Sequence, residues 1–270
     1  MTVWVSGSAG KLGSEVVRQL ERDGITVVGA DVAGPGDHQV DLTDPDAVRR
    51  SLTGCDAVIH CAAIPSPENV EPADLVHNNT LSTFNVLQEA WRAGISTAVL
   101  ASSGSIYGTA WSPEPTVAPY VPVTEDSPLD YVDPYALTKD FAERIGRMYA
   151  RRGMTVTALR FHWILTVQEL HELDGQTDER TDARNLWGYV ELTDAARACL
   201  LALHPDTSDG RYHVLSITAA DTRSRRPIEE LLAEYAPGTE VRRPLLGSQG
   251  AWDCSRAQSI IGWEPLTGWR

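Results

Sequence analysis

The sequence predicts an α/β protein built on a doubly wound parallel sheet. Short β-rich runs alternate with helix-length segments through the first 160 residues. Most of these runs are apolar nearly throughout, which is typical of strands that helices cover on both faces. Alternation of this kind favours a parallel sheet. We therefore expect residues 1–160 to form the sheet, and residues 161–270 to form a small C-terminal lobe that is built on it and does not fold alone.

The predicted elements follow in order along the chain. Five runs are predicted to be strands: "TVWVSG" (2–7), "TVVGAD" (26–31), "AVIHCAA" (57–63), "TAVLASS" (97–103) and "TVTALR" (155–160). "KLGSEVVRQLERDG" and "NTLSTFNVLQEAWRAG" are predicted helices, because each ends at a glycine, as helices often do. Residues 164–186 are polar and rich in charge; after them, "ELTDAARACLLAL" is a predicted helix and "GRYHVLSI" a predicted strand.

The composition narrows the classes of partner. With 270 residues, of which 42% are hydrophobic, the chain can bury a substantial core. Its formal net charge of -14 repels phosphate backbones and anionic lipid, so we expect a small-molecule substrate and neither nucleic acid nor membrane. The four cysteines show no C-x-x-C spacing, which favours a reducing compartment and no metal site. No basic leader and no apolar run of about 20 residues is seen, so we expect a cytoplasmic protein.

The first predicted strand leads into "GSAGKLG", in which Gly7, Gly10 and Gly13 recur at every third position. Glycines allow the backbone to turn tightly and to bring a phosphate group to the N-terminus of the next helix. We assign these glycines, with Lys11 and Leu12 at the helix start, to a dinucleotide cofactor. A simple strand-to-helix turn would also account for the three glycines.

Asp31 ends the second predicted strand, where a carboxylate can accept hydrogen bonds from the two hydroxyls of an adenosine ribose. No lysine or arginine follows it before Arg49, so nothing nearby would neutralise a 2'-phosphate. This pattern favours NAD over NADP. Asp41 and Leu42 follow the next short segment and are candidates for contact with adenine. The alternative is that they form the N-cap of a helix that begins at "DPDAVRRSL".

"DPYALTK", residues 133–139, suggests proton-transfer chemistry. Asp133 suits a helix N-cap and Pro134 the first helical position, so Tyr135 and Lys139 at i and i+4 would lie side by side. An ammonium group, helped by the positive nicotinamide ring, would stabilise tyrosinate and lower the pKa of the phenol. Such a tyrosine can exchange a proton with a substrate hydroxyl or carbonyl. The Y-x-x-x-K spacing alone is common by chance.

Several motifs together resemble one family. In chain order they are "GSAGKLG", "HCAA" (60–63), "NTLSTFNVL" (79–87), "SSGSIYG" (102–108), "YALTK" and "SRAQSIIGWEP". Spread over nearly the whole chain, they resemble the extended short-chain dehydrogenase/reductase superfamily, specifically its NAD-dependent epimerase/dehydratase group. The resemblance implies a Rossmann fold and an NAD cofactor. It also implies the site residues: Ser103 and Tyr135 on the reacting oxygen, Lys139 on the nicotinamide ribose, Asn79 ordering the site, and Ala62 and Ala63 along the cofactor.

The neighbours of these residues carry alternative readings. Ser102 and Ser105 are expected to be hydrogen-bonding residues at a strand end, with substrate contact by Ser105 as the alternative. Tyr107 is expected to pack, and His60 to be structural. His162 and Trp163 stand in "FHWILT", where family members usually carry a proline and glycine loop beside the nicotinamide. They are candidate substrate contacts.

Three features narrow the reaction. Dehydratases of the family place Asp-Glu directly after the catalytic serine or threonine, whereas Gly104-Ser105 follows Ser103 here. The part after Arg160 is short and acidic, which disfavours a large dianionic substrate. "NLWGYVELTDAARACLLAL" and this short lobe resemble members that act on small sugar acids, such as uronate dehydrogenases. Our leading hypothesis is an NAD-dependent oxidoreductase acting on a small sugar-like compound; the alternatives are a sugar epimerase and a non-catalytic NAD sensor.

The helix of Tyr135 also has a second apolar face. Leu137, Phe141, Ile145 and Met148 form a stripe apart from the cofactor face, and Phe84 and Trp91 do so on the preceding long helix. Two apolar faces on one helix need two partners. Burial under the chain's own loops is one explanation. Because family members often pair through these two helices, we predict a homodimer.

Overall fold

The computed structural model describes residues 1–33, 39–113, 117–176 and 178–268. The strands of these residues are β1 (Thr2–Ser6), β2 (Thr26–Ala30), β3 (Ala57–His60), β4 (Thr97–Ser103), β5 (Tyr120–Val121), β6 (Thr155–Phe161), β7 (Ile164–Leu165), β8 (Val190–Glu191), β9 (Tyr212–Ile217) and β10 (Glu240–Val241). The helices are α1 (Lys11–Arg22), α2 (Pro45–Ser51), α3 (Pro72–Arg92), α4 (Pro134–Ala150), α5 (Val167–Glu172), α6 (Glu179–Asp182), α7 (Leu192–Leu201), α8 (Ile228–Tyr235) and α9 (Ser255–Ile261).

Six strands form one sheet in the order β2-β1-β3-β4-β6-β9, and every neighbouring pair is parallel. The five predicted strands are confirmed, and "GRYHVLSI" supplies the sixth strand. This order, which reverses direction beside β1, is that of a doubly wound Rossmann sheet. The predicted fold class is therefore correct.

Helices cover both faces of the sheet, which explains why its strands are apolar throughout. Along β1, Val3 and Val5 face a core that includes residues of α1, α7 and α9. Trp4, between them, faces the opposite core, which includes residues of α2, α3 and α4. Successive strand residues point to opposite faces of the sheet, so a strand that is buried on both sides is apolar at nearly every position.

The helix ends follow local signals. Gly24 and Gly94, just after α1 and α3, have φ values of +74° and +81°, which glycine adopts without strain. The Asp133 carboxylate caps α4 by accepting a hydrogen bond from the Ala136 amide at 2.8 Å, as expected. The α3 helix begins at Pro72, earlier than the predicted start near Asn79. The N–H group of the first residue in a helix has no partner within the helix. Proline lacks this group, so Pro72 is well suited to begin α3.

The C-terminal part shares the sheet with the first part. The β9 strand pairs with β6, and α7 packs in the same core as α1. The remaining segments build a third core, in which Tyr107 and Val121 meet Trp187, Leu231 and Trp252. The polar segment 164–186 contains the short elements β7, α5 and α6. Among the described residues, no helix is long and apolar enough to span a membrane.

Candidate active site

The site lies at the carboxyl edge of the sheet. Ser6 and His60 are the paired last residues of β1 and β3, and Ser103 and Phe161 are those of β4 and β6. Ligands of open α/β sheets bind outside this edge. The glycine loop, Ala62 and Ala63, the Ser103 turn and His162 all follow these strand ends.

The glycine loop packs against the end of β3 without room for side chains. Gly7 has a φ of +67°, and a Cβ on it would lie 2.8 Å from the Ala62 amide nitrogen. A Cβ on Gly13 would lie 2.0 Å from the Gly7 carbonyl oxygen. Gly10 is the N-cap of α1 and provides no side-chain cap for the first turn. The helix N-terminus therefore suits a diphosphate, whose charge its amide groups and dipole favour.

Asp31 holds its carboxylate beside this loop. One of its oxygens accepts a hydrogen bond from the Ala9 amide and the other from the Ala33 amide, each at 3.0 Å. A carboxylate oxygen has two lone pairs, so each oxygen retains one for another donor. The arrangement fits a ribose diol, as the sequence predicts.

Asp41 does not cap α2, which was the alternative role suggested by the sequence. Asp44 is the N-cap of α2, and its carboxylate accepts from the Asp46 amide at 2.9 Å. Asp41 instead accepts from the amide and hydroxyl of Thr43 at 2.8 and 2.7 Å, and these bonds hold the pKa of its carboxyl below the usual value. Leu42 is buried in the core under α2 and α3. Contact of Asp41 and Leu42 with adenine stays a prediction.

Lys11 directs its ammonium away from the glycine loop and toward the C-terminal part. Its Nζ donates to the Ile164 carbonyl oxygen at 3.0 Å and forms an ion pair with Glu169 of α5. Leu12 packs on the core beneath α1. The side chains of both residues are thus engaged elsewhere in the protein. If the two residues contact the cofactor, we expect them to do so through their backbone amides at the start of α1.

Ser103, Tyr135 and Lys139 meet at the start of α4. The Ser103 hydroxyl is close enough to the Tyr135 phenol to lower the pKa of the phenol, and its oxygen accepts a hydrogen bond from the Ser105 amide at 3.1 Å. The Lys139 Nζ lies 5.4 Å from the centroid of the Tyr135 ring and donates to the Ala101 carbonyl oxygen at 2.8 Å. The fold thus brings together the three residues that the resemblance assigned to chemistry.

The pKa of Tyr135 differs from the sequence-based expectation. Burial raises it to about 12, against a smaller lowering effect of the Ser103 hydrogen bond. Burial also lowers the pKa of Lys139 to about 8. Removing both groups from water disfavours their charged forms, so the expected lowering of the Tyr135 pKa is not found in the protein alone.

Asn79 of α3 ties the loop after β3 to α4. Its Oδ1 accepts from the Ile64 amide at 2.8 Å, and its Nδ2 donates to the Ile64 carbonyl at 3.1 Å and to the Thr138 hydroxyl at 3.3 Å. Thr138 directly precedes Lys139 in α4. Asn79 therefore contacts the scaffold of the site, as the resemblance implied for an ordering residue.

His162 and Ser105 present buried polar atoms beside Ser103. The His162 Nδ1 lies 2.7 Å from Asn185 Oδ1, while its Nε2 is buried and finds no hydrogen-bond partner among the described residues. The Ser105 hydroxyl is likewise buried and without a partner. The His162 ring packs against Trp252 with 3.8 Å between centroids and an angle of 43° between the ring planes. Asn185 and Trp252 were not predicted, because no motif marks residues that act through a neighbouring side chain.

Trp163 is 46% exposed and packs against a residue that the sequence did not single out. The Arg223 guanidinium carbon lies 4.7 Å from the centroid of the Trp163 ring, while Arg223 Nη2 pairs with Asp182. Arg223 Nη1 is buried and has no hydrogen-bond partner within the described part of the chain. The only sequence signal for Arg223 is its place after β9, the strand next to β6.

The remaining polar neighbours, His60, Ser102 and Tyr107, make contacts within the protein. His60 sits between the Ser6 and Thr83 hydroxyls at 2.7 and 3.2 Å, and burial lowers its pKa to about 3. The Ser102 hydroxyl donates to Glu143 at 2.7 Å, and the Tyr107 ring packs on Trp252 at 5.3 Å.

Comparison with known proteins agrees with this geometry. The sequence model of the NAD dependent epimerase/dehydratase family matches residues 3–218. The UDP-glucose 4-epimerase of Lactobacillus helveticus is 26% identical over 98% of this chain and 92% of its own length. The L-arabinose 1-dehydrogenase (NAD(P)(+)) of Haloferax volcanii is 29% identical over 81% of this chain and 89% of its own.

Solved structures show the same fold. A UDP-glucose 4-epimerase of Thermotoga maritima with UDP-glucose superposes with a TM-score of 0.75 at 22% identity, covering 99% of this chain and 94% of that one. A short-chain dehydrogenase/reductase superfamily protein of Agrobacterium tumefaciens with bound NAD gives 0.74 at 23% identity, covering 100% and 94%. The family match includes the glycine loop, Ser103 and the Tyr135–Lys139 pair. The chain belongs to the NAD dependent epimerase/dehydratase family.

Proposed function

We propose that the protein is an NAD-dependent enzyme that interconverts a carbinol and a carbonyl on a small sugar-like substrate. The observation that carries the proposal is the convergence of the Ser103 hydroxyl, the Tyr135 phenol and the Lys139 ammonium at the start of α4, with Lys139 Nζ 5.4 Å from the centroid of the Tyr135 ring. A partly buried phenol beside a serine hydroxyl is positioned to exchange a proton with a substrate oxygen. A protein that only senses NAD needs no such group.

The residues have separate roles in this step. The Tyr135 phenol gives a proton to the substrate carbonyl oxygen or takes one from the hydroxyl, and the Ser103 hydroxyl holds the same oxygen. Burial raises the pKa of Tyr135 to about 12, so the phenol is protonated at neutral pH and ready to donate. Removal of a proton from a hydroxyl requires a lower pKa, which the Lys139 ammonium favours electrostatically.

The residues at the carboxyl edge fit NAD. The side-chain-free loop of Gly7, Gly10 and Gly13 would receive the diphosphate, and the Asp31 carboxylate the adenosine ribose. Lys139 would hold the nicotinamide ribose, and Ala62 and Ala63 would line the cofactor. Bound NAD supplies the hydride acceptor and, in its oxidised form, a positive charge near Tyr135.

Two completions of the reaction differ in what happens to the oxidised substrate. An epimerase reduces it again on the other face, and the name of the L. helveticus relative, which matches nearly the whole chain, favours this outcome. A dehydrogenase releases it, as the name of the H. volcanii relative suggests. The names of the relatives give epimerisation the broader support, and the catalytic residues suit both.

The size of the chain favours a small substrate. The alignment with the L. helveticus epimerase runs over 313 positions, more than the 270 residues of this chain, so that relative carries segments that are missing here. The alignment with the arabinose dehydrogenase runs over 229 positions for 81% of this chain, which leaves little room for gaps. We therefore propose a free sugar or sugar acid in preference to a nucleotide sugar.

β-Elimination by the family's dehydratase route does not fit the space beside Ser103. A Cβ on Gly104 would lie 2.2 Å from the His162 ring, so an aspartate at this position would require the ring to move. The next residue is Ser105, whose hydroxyl cannot replace a glutamate as a general base. This geometry supports the exclusion that the sequence suggested.

The test uses Tyr135→Phe with NAD and a panel of uronates, aldoses, polyols and UDP-glucose. We expect activity to fall by about 100- to 10,000-fold, because positioned proton transfer is lost, while calorimetry gives an unchanged affinity for NAD. Tyr149→Phe, the same change near the far end of α4, is the matched control and should keep full activity. Full activity of Tyr135→Phe would refute the mechanism.

The same panel separates the two completions. A dehydrogenase forms free NADH in proportion to product, which absorbance measures directly. An epimerase forms isomerised sugar, seen by chromatography, without accumulation of NADH.

A further inference from the structure

His162 combines burial with an unused hydrogen-bonding atom next to the reacting residues. It is only 5% exposed, and its Nε2 has no partner. A polar atom buried without a partner costs free energy, so such atoms need an explanation, and a ligand group is one. The ring lies directly over Gly104, the residue that follows Ser103, at a position where a Cβ would be 2.6 Å from Nε2.

The surroundings of His162 determine which atom carries its proton. Asn185 Nδ2 donates to the Gly188 carbonyl oxygen at 2.6 Å, so Asn185 Oδ1 is the atom that faces the imidazole. An oxygen can only accept, and Nδ1 of His162 must therefore carry the hydrogen. In the neutral ring Nε2 is then a bare acceptor. Burial lowers the pKa of His162 to about 4, so the ring remains neutral under ordinary conditions.

The ring is also fixed in place. It packs against Trp252 in a tilted arrangement with 3.8 Å between centroids, and the Trp252 indole nitrogen donates to the Asn185 backbone carbonyl at 3.2 Å. Asn185 and Trp252 are thus positioning residues that hold the imidazole from two sides. A fixed acceptor discriminates well, because its lone pair cannot turn toward a different partner.

We propose that His162 Nε2 accepts a hydrogen bond from a substrate hydroxyl on the carbon next to the reacting carbon. This inference rests on the proposed function, which places the reacting oxygen at Ser103 and Tyr135. The His162 ring lies against Gly104, the residue that follows Ser103, so the substrate hydroxyl nearest to the ring is the one on the carbon next to the reacting carbon. The unpartnered Ser105 hydroxyl, in the same turn, can accept from or donate to the same region of the substrate. The site therefore selects polyhydroxylated compounds with a hydroxyl next to the reacting carbon.

The test compares sugars with and without that hydroxyl. The probes are D-galactose with 2-deoxy-D-galactose, and L-arabinose with its 2-deoxy analogue, since the arabinose-acting relative is named for reaction at C1. Dissociation constants are measured by NMR titration of NAD-loaded protein in the Tyr135→Phe background, so that binding is read without turnover. With His162 present we expect the parent sugars to bind about 5- to 150-fold more tightly than the deoxy analogues.

Two variants of His162 and one control variant test whether His162 causes this preference. His162→Phe keeps a flat ring but has no acceptor, and the preference should fall to less than about twofold. His162→Gln restores an acceptor oxygen and should recover part of it. His213→Phe is the matched control: His213 also has a buried, unpartnered Nε2, but it lies near the start of β9, at the opposite edge of the sheet, and its replacement should leave the preference unchanged.

The outcomes against the inference are distinct from those against the proposed function. A preference that persists in His162→Phe, or that is absent while His162 is present, would overturn the role of Nε2. Failure of all four probes to bind would overturn the selection of polyhydroxylated compounds. Unchanged NAD affinity in each variant shows that it is folded. The proposed function itself fails on a different measurement, the activity of Tyr135→Phe.

Discussion

Arg160 of β6 donates two parallel hydrogen bonds, at 2.9 and 2.8 Å, to the carboxylate of Glu143 of α4, and both side chains are buried. Glu143 lies one helical turn after Lys139, as Lys139 lies one turn after Tyr135. Arg160 Nη1 donates to the Tyr107 hydroxyl at 2.9 Å and to the Glu125 carbonyl oxygen at 3.1 Å. The ion pair therefore fixes the orientation of α4 on the sheet and so the distance from Tyr135 to Ser103.

Loss of one partner of this pair should be costly. We expect Glu143→Gln to lower the free energy of unfolding by about 3–5 kcal/mol, because it leaves the Arg160 charge buried without a counter-charge. Urea denaturation measures the loss. The double variant Glu143→Gln/Arg160→Met should recover a large part of it, since no charge remains buried. Equal stability of Glu143→Gln and the unaltered protein would contradict this account.

The buried ammonium of Lys139 predicts a pH dependence with a definite sign. Burial lowers its pKa from an ordinary value of 10.5 to about 8. Between these values the unfolded chain binds a proton at Lys139 that the folded chain does not, so raising the pH stabilises the fold. Below pH 8 both states are protonated and the folded state bears the full cost of the buried charge, about 3 kcal/mol.

Lys139→Met removes the titrating group with little change in shape. We expect its stability relative to the unaltered protein to fall by up to about 3 kcal/mol as the pH rises from 7 to 10.5, measured by urea denaturation at each pH. The contributions of Tyr135 and the cysteines to the pH dependence of stability cancel in this comparison, because both proteins contain these residues. A difference in stability that is constant over this range would show that Lys139 has an ordinary pKa.

Asp31 predicts the choice between cofactors. Its carboxylate is fixed by the Ala9 and Ala33 amides, so it cannot turn away from a 2'-phosphate. We expect NAD to bind at least about tenfold more tightly than NADP, because the like charges repel. Asp31→Ala should narrow the gap, whereas Asp23→Asn, at the C-terminal end of α1, should not change it. Calorimetric affinities that are equal in the unaltered protein would refute the assignment.

Sequence reasoning succeeded where the signal is local. The strands of the sheet are apolar runs because both faces are covered, so their composition alone identifies them. The start of α4 was predictable because its signals are adjacent in the sequence: Asp133 is the N-cap and Pro134 is the first helical residue. The tight turn after β1 was predictable because Gly7, Gly10 and Gly13 carry no side chains, whereas the contact of Gly7 with Ala62 was not predicted.

The rest depended on contacts between distant residues. Lys11 meets Glu169 across 158 positions of sequence, and no local pattern distinguishes that partner from a phosphate group. The pKa of Tyr135 follows from burial, which the spacing to Lys139 does not describe. The unpartnered atom of His162 depends on Asn185, 23 positions away, which fixes the tautomer.

Self-association through α3 and α4 is the last prediction. Phe84, Trp91 and Met148 are each about two-fifths exposed on these helices, whereas buried side chains of the same helices pack against the sheet. Large apolar side chains exposed together on a surface mark an interface. We expect a homodimer in light scattering at micromolar concentration, with the two helices of each subunit in the contact.

The variant Phe84→Asp/Trp91→Asp tests which surface is used. A charge placed in the centre of the contact should weaken the dimer by about 30-fold or more, so that the mass falls to that of a monomer. Leu246→Asp is the control, because Leu246 is 65% exposed but lies outside α3 and α4. Arginines line the C-terminal part of α4, including Arg147 and Arg151, and charge repulsion between two copies should make the dimer stronger as salt rises. A monomeric mass for the unaltered protein at high salt would exclude this interface.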